Sequence, residues 1–328
     1  MSGIVRTQPD IASKSFNFAE ALNHYYSGLS AEPSIIDDCF ASAAETLARK
    51  AQTVFQTGRH CWVKKHLTRL TDSNNWHAYA MELSLCYELE TSNKKVECGV
   101  KCIADDNSDV DIVYRHTNGV EVRAECVFVN ISKNYWNEVQ IASGLSAISS
   151  IHRNGSESAF SRIAQSKIRY KTIRKDGTPT KFPEADDNSA HLLICDVSKA
   201  IGHKPDYWDL QLLSLGRGAV HPLAQRNLLG LFESSNPYGA DFVGEFRSNR
   251  FLRERIHGIL FLIDDSIWRD ALDPNYTCCV VRNPLLRMDD RQIEALNEFG
   301  KAFHGIMPRR MTGQQYVPTD ANAEDIPA

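Results

Sequence analysis

The chain has 328 residues, of which 42% are hydrophobic and 24% charged, and its formal net charge is -4. This composition is typical of a globular protein with a sizeable core, and it excludes a polycation that binds nucleic acid through bulk charge. No apolar run reaches membrane-spanning length, and the N-terminal residues lack the apolar core of a signal peptide. Nine cysteines without a CxxC pair are typical of a reducing compartment, so we expect a cytoplasmic protein with no membrane partner.

The predicted elements begin with helices. Residues 1–71 predict a helical extension, which offers a surface for a protein partner or for self-association. The order that follows is a helix, three strands, a helix and a buried strand, at 76–89, 94–103, 109–115, 121–129, 158–174 and 191–197.

The rest of the chain adds to this core. Strands at 257–263 and 277–282 are expected to extend the same sheet, and the glycine-containing stretch at about 200–255 is interpreted as an insertion or a lid. The tail at 311–328 is rich in Gln, Pro, Asp and Ala, which predicts disorder. We therefore divide the chain into an extension (1–71), a domain (72–310, with its core at 76–197) and the tail.

Three carboxylates occupy positions that conflict with simple burial. Glu82 lies in a helix that is apolar almost all round, Asp111 interrupts the start of a strand, and Glu125 lies in the middle of one. The Asn-Gly turn at 118–119 predicts a hairpin that places Asp111 and Glu125 on adjacent strands. Clustered carboxylates repel one another, and Mg²⁺ or Mn²⁺ is the cation that such oxygen ligands suit.

Each carboxylate alone has a simpler explanation. Glu82 could pair with an arginine, Asp111 could cap a turn, and Glu125 could bridge to Arg115 or Arg123 across the strands. Taken together, their order favours a common site. Asp109 replaces Asp111 if the latter points to the other face of the sheet, because neighbouring strand residues face opposite sides.

A dense basic stretch follows the strand that carries Glu125. Its cations are candidate contacts to a phosphate backbone, although a solvated helix face is the alternative explanation. The predicted nucleic-acid-binding residues are Arg162, Lys167, Arg169, Lys171, Arg174 and Lys175.

This arrangement resembles the PD-(D/E)XK, or restriction-endonuclease-like, nuclease superfamily, on the segments WHAYAME (76–82), SDVD (108–111) and AECV (124–127). The resemblance implies an α/β fold with an αβββαβ core, in which helices flank a mixed central sheet. It also implies a metal-dependent endonuclease that hydrolyses phosphodiester bonds, with DNA as the expected substrate. The metal, Mg²⁺ or Mn²⁺, would be held by Glu82, Asp111 and Glu125, with a backbone carbonyl near 126–127.

The chain departs from the family pattern at Val127, where the family has a lysine. Lys167 and Lys171 on the following helix are the expected substitutes, and Gln165 could orient water or phosphate. The alternative is an inactive nuclease-like fold that serves as a nucleic-acid-binding or protein-assembly module. A third possibility is an interaction component that binds its partner through the N-terminal helices.

Overall fold

The fold is described from a computed structural model. The described residues are 47–69 (without 48), 76–103, 108–129, 159–174, 178, 180–197, 205, 207–216, 229–240 (without 238), 242–263, 278–301, 309–312 and 315–318.

The centre of the molecule is a six-stranded mixed sheet whose strands lie side by side in chain order. Its strands are β1 (Val96–Val100), β2 (Val110–Arg115), β3 (Glu121–Phe128), β4 (Ser189–Asp196), β5 (Gly258–Leu262) and β6 (Cys278–Arg282). Strand β4 pairs in parallel with both β3 and β5, and the other neighbours are antiparallel. The prediction that the last two strands extend the same sheet is confirmed.

Strand β4 explains why the sheet is covered on both faces. All eight of its residues are buried, including the apolar run Leu192, Leu193 and Ile194. A strand with parallel neighbours that is buried on both sides has no reason to alternate between apolar and polar residues, and its sequence does not.

Helices cover both faces of the sheet. They are α1 (His60–Arg69), α2 (Trp76–Thr91), α3 (Ala159–Thr172), α4 (Tyr207–Leu215), α5 (Val243–Ser248), α6 (Arg250–Arg255) and α7 (Asp290–Lys301). One face packs against α1, α2 and α7, together with helical residues 47 and 49–56, and the other packs against α3, α4 and α6. The expectation of an α/β fold is therefore confirmed at the level of a mixed six-stranded sheet with the N-terminal helices packed together.

The stretch interpreted as an insertion or a lid contains helices that the sequence did not predict. Leu210 and Leu213 of α4 and Phe251 and Leu252 of α6 are buried in the same cluster as β3 and β4. The described part of this stretch therefore completes the core on the α3 face.

The C-terminal part adds three further elements, a helix and two strands. Helix α7 was not predicted, and its Ala295 and Phe299 are buried in the core on the α2 face. Strands β7 (Arg309–Thr312) and β8 (Gln315–Pro318) pair in an antiparallel ribbon that composition did not indicate in a tail predicted to be disordered. Among the described residues, no helix has both the length and the apolar character needed to cross a membrane.

Candidate active site

Asp111 and Glu125 lie next to each other at the end of the β2–β3 ladder. The register pairs Ile112 with Ala124, so Asp111 and Glu125 are the next pair along and lie on the same face of the sheet. The Cys126 N–H donates a hydrogen bond to Asp111 Oδ2 at 2.8 Å. A carboxylate therefore takes a bond that a strand carbonyl would otherwise accept, and it is fixed beside Glu125.

Glu125 is fully buried, and its two oxygens have different surroundings. Oε1 accepts hydrogen bonds from the ammonium groups of Lys171, at 3.3 Å, and Lys181. Oε2 is buried and has no hydrogen-bond partner in the described part of the chain. A buried carboxylate with one oxygen satisfied twice and the other not at all retains capacity for a further cation or proton.

The electrostatics of this pair favour added positive charge. Burial and the neighbouring Asp111 raise the pKa of Glu125 to about 8, although Lys171 and Lys181 act in the opposite direction. Burial alone would lower the pKa of Lys171, but the attraction of Glu125, Asp111 and Glu82 outweighs it and raises that pKa. Both shifts retain a proton at the site, and Asp111 contributes to both of them, so the surroundings favour added positive charge.

Sequence reasoning did not identify Lys181 as a site residue. It lies in the loop after α3, at the end of the basic stretch, and its backbone adopts a left-handed conformation with φ 71°. A residue that is not glycine rarely adopts this conformation without support from its surroundings, and here the side chain is directed to Glu125. The basic stretch was the available signal, but a loop gives no periodicity from which to derive a direction.

Glu82 reaches the site region from the other layer. Its Oε2 lies 2.6 Å from Nε2 of His66, and both side chains are buried. Nδ1 of His66 lies 3.0 Å from the Trp62 carbonyl oxygen, which can only accept, so the contact with Glu82 requires a proton on Nε2 or on the carboxyl group. Sequence analysis did not identify His66, which takes the place of the arginine considered as a simple partner for Glu82.

The structure brings Asp111 and Glu125 together and ties Glu82 to His66. Among the residues that the structure describes, no group of three His, Cys, Asp or Glu side chains is placed to hold a metal ion. The charge of Glu82 nevertheless acts at the site, because it contributes to the raised pKa values of Lys171 and Cys126. The acidic ligand set that this geometry offers is therefore a pair.

Two simpler explanations of Asp111 and Glu125 find no support in the contacts. Arg115 and Arg123, considered as partners of Glu125, pair with Glu121 instead. Glu121 contacts both guanidinium groups at about 3 Å. Asp111 bonds a neighbouring strand and not a turn, so the alternative Asp109 is not needed.

The cations of the basic stretch fall into different groups. Arg169 donates to Asn249 and to Gln165, and the Gln165 amide donates to the carbonyl oxygens of Leu213 and Leu229, so these two side chains hold α3 to the insertion. Lys167 and Arg174 are exposed. The side chains of Arg162 and Lys175 lie outside the described residues.

Comparison with known proteins identifies no relative: no family model, no curated protein and no solved structure matches this chain.

Proposed function

We propose that this chain is a metal-dependent nuclease with a restriction-endonuclease-like PD-(D/E)XK core, which hydrolyses phosphodiester bonds in DNA. The observation that carries the proposal is the buried Glu125, contacted by Lys171 and Lys181 and paired in register with Asp111. Two acidic ligands with lysines beside them are the groups that a metal-assisted phosphodiester hydrolysis requires.

The residues present fit a hard divalent cation. Mg²⁺ is commonly held by only one or two carboxylates, with water and substrate phosphate as the remaining ligands. Asp111 and Glu125 would hold it, together with a backbone carbonyl near 126–127. Oε2 of Glu125, which has no hydrogen-bond partner in the described part of the chain, is the clearest candidate ligand atom. When bound, Mg²⁺ or Mn²⁺ supplies Lewis-acid polarisation of the phosphate and lowers the pKa of water.

In this proposal Lys171 and Lys181 together take the role of the single motif lysine of the PD-(D/E)XK family. Val127, at the family's lysine position, is 1% exposed and packs in the core, so it cannot reach the phosphate. Lys171 and Lys181 oppose the rise in the pKa of Glu125 and so favour its ionised form. Their N–H groups are also placed to stabilise negative charge that develops on a phosphate bound beside Glu125.

The experiment is cleavage of plasmid and linear DNA by the purified full chain with Mg²⁺ or Mn²⁺. Glu125→Gln, Asp111→Asn, Lys171→Gln and Lys181→Gln are each expected to lower the rate by about 10²-fold or more. Lys95→Gln is the control, because Lys95 is an exposed lysine just before β1, at the end of the β1–β2 ladder opposite to Asp111. No cleavage by the wild type, or equal cleavage by Glu125→Gln, would contradict the proposal.

The second candidate is a nuclease-like fold that binds nucleic acid or assembles with protein without chemistry. The absence of a third acidic ligand among the described residues is the observation that favours it. Calorimetric titration with Mg²⁺ or Mn²⁺ separates the two, since an inactive module binds no metal that Glu125→Gln removes.

A further inference from the structure

Helix α3 carries a row of side chains that leads outward from Glu125. Tyr170 and Lys171 follow Lys167 by three and four residues, a spacing that places both beside Lys167 on the helix surface. Arg174 lies just beyond the helix, two residues after Thr172: the Ile173 N–H still bonds to the Arg169 carbonyl oxygen, whereas the Arg174 N–H bonds to the Thr178 carbonyl oxygen. We call Lys167, Tyr170, Lys171 and Arg174 the α3 ridge.

The α3 ridge runs from the buried site to solvent. Lys171 contacts Glu125 and has 32% of its side chain exposed, whereas Lys167, Tyr170 and Arg174 are exposed. Ala164 and Ile168 of the same helix are buried in the core. The ridge is therefore a positively charged surface that ends at the candidate catalytic carboxylate.

Tyr170 is the feature of this ridge that stability does not explain. Three large apolar side chains are exposed in the described part of the chain: Tyr170 at 72%, Leu285 at 43% and Val243 at 36%. Tyr170 is the most exposed and the one aromatic ring among them, and the structure records no hydrogen bond or ring contact for it within the described residues. A ring left in water between two cations contributes little to the fold.

We infer that the α3 ridge binds single-stranded DNA, with an unpaired base stacked on Tyr170 and phosphates held by Lys167 and Arg174. The inference rests on the proposed nuclease function, whose substrate class it names. Charge complementarity supports it, because the ridge is locally basic in a chain with net charge -4. A duplex keeps its bases stacked internally, so a base is available to an exposed ring only in an unpaired strand.

The test is binding, measured separately from cleavage. Fluorescence anisotropy of labelled oligo(dT) and of a duplex of equal length is followed with Glu125→Gln protein, and also with wild-type protein in a chelator. Tyr170→Ala is expected to weaken binding of the single strand by about 5- to 150-fold, since a stacked base contributes about 1–3 kcal/mol. Binding of the duplex is expected to change by less than about twofold.

Three control variants separate stacking from other effects. Tyr170→Phe keeps the ring and is expected to bind oligo(dT) like the parent, whereas Tyr170→Leu keeps apolar area without a ring and is expected to bind like Tyr170→Ala. Lys167→Gln is expected to weaken both ligands and to reduce the slope of log affinity against log salt by about 1. Leu285→Ala removes exposed apolar surface elsewhere and is expected to have no effect.

Equal affinity for single strand and duplex, or unchanged oligo(dT) binding by Tyr170→Ala, would overturn the inference. Its failure is distinguishable from that of the nuclease proposal. If the wild type cleaves DNA and Tyr170→Ala binds oligo(dT) unchanged, only the single-strand inference fails. If Tyr170→Ala weakens oligo(dT) binding but the wild type does not cleave, only the nuclease proposal fails.

Discussion

Burial of Glu125 in this core costs folding free energy. A fully buried carboxylate loses its hydration, and ion pairs with Lys171 and Lys181 rarely stabilise a fold more than an apolar side chain of similar volume would. Its neighbour Asp111 increases the conflict, because it raises the pKa of Glu125 further. Local conflict of this kind is common where a site must attract a cation or a phosphate.

The raised pKa of Glu125 predicts a pH dependence of stability. The folded protein keeps the Glu125 proton up to about pH 8, while the unfolded chain loses it near the ordinary value of 4.5. Between these values the folded state binds more protons, so the free energy of unfolding falls as pH rises, by about 1.4 kcal/mol per pH unit from this group. Urea denaturation between pH 5 and pH 8, compared with Glu125→Gln, measures this contribution.

The comparison of the two proteins isolates Glu125 from other groups. Burial lowers the pKa of His191 to about 3 and that of His257 to about 4, and these groups contribute equally to both proteins. Relative to wild type, Glu125→Gln should become more stable as pH rises. Added Mg²⁺ should flatten the wild-type slope above pH 6.5. Parallel curves for wild type and Glu125→Gln would contradict the raised pKa.

At the residue scale, the sequence was informative where strand geometry fixes direction. The Asn-Gly turn sets the register of the hairpin, and the register places Asp111 beside Glu125. Lys171 could be proposed because a helix that follows β3 and precedes the parallel strand β4 must cross the sheet face. Lys181 could not be found in this way because it lies in a loop without periodicity. His66 could not be found because its contact with Glu82 depends on how α1 packs on α2, which the spacing within either helix does not indicate.

At the element scale, two sulfur atoms join α2 to the edge strand β1. Sγ of Cys86 and Sγ of Cys98 lie 3.1 Å apart, and both thiols are free. Cys86 is one helical turn after Glu82, so a covalent link here would fix the part of α2 that faces the site region. Cys98 is half-buried, which leaves it accessible to a small reagent.

We expect a disulfide-forming oxidant such as diamide to convert these two thiols into a disulfide, with both hydrogens transferred to the reagent. The cross-link closes a short loop and should raise the free energy of unfolding by about 2 kcal/mol. Peptide mapping by mass spectrometry and the urea midpoint measure the two effects. The hydrogen bond with Cys98, together with burial, raises the pKa of Cys86, so the reaction should be faster at higher pH.

Cys98→Ser is the control for this link, because it should show neither the cross-linked peptide nor the shift in midpoint. Cys61 is exposed and should react with the oxidant independently of Cys86 and Cys98. All measurements are therefore made in a Cys61→Ser background. Oxidation that pairs other cysteines would contradict the predicted contact.

The insertion is held by a close backbone approach that requires glycine. A Cβ built on Gly230 would lie 2.2 Å from the Gly216 nitrogen, and Gly216 itself has φ 63°. Gly230→Ala is therefore expected to lower the free energy of unfolding by about 1–3 kcal/mol, measured by urea denaturation. Gly244→Ala is the matched control: nothing lies within 4 Å of its Cβ position in α5, so it should be neutral or stabilising by about 0.4–1 kcal/mol. Equal midpoints for the two variants would contradict the close approach.

The six strands of the sheet and the long helices α2 and α3 were predicted, whereas α4, α5, α6 and α7 were missed, although α7 has a clear apolar face. The strands and the helices at α2 and α3 lie within a few residues of their predicted ends. Helix α4 is short and apolar on most sides, with Gln211 and Ser214 buried beside its leucines, so it shows no polar face. Helices α5 and α6 have six residues each, too few to establish a period.

At the scale of the whole molecule, the N-terminal helices belong to the same core as the sheet. Leu47, Ala51, Val54 and Val63 are fully buried in the cluster that contains α2 and β3. The buried ion pair of Lys50 with Glu88 and the contact of His66 with Glu82 join the same elements. The described part of residues 1–71 therefore packs as a layer of the domain, which limits the surface it can offer to a partner.

Removal of residues 1–71 is therefore expected to prevent stable folding of the remainder. Burying each large apolar side chain contributes about 1.5–3 kcal/mol, so the loss of Leu47, Val54 and Val63 alone removes about 5–9 kcal/mol. A domain is typically stable by only about 5–15 kcal/mol, and Glu82 and Glu88 would also lose their buried partners. Circular dichroism and urea denaturation of the truncated chain measure the effect.

Val63→Ala in the full chain should lower the free energy of unfolding by only about 1–3 kcal/mol and leave the protein folded, because it removes one contact of that layer. A truncated chain that unfolds cooperatively at the wild-type midpoint would show instead that α1 is a separable appendage and that His66 has no part in holding Glu82.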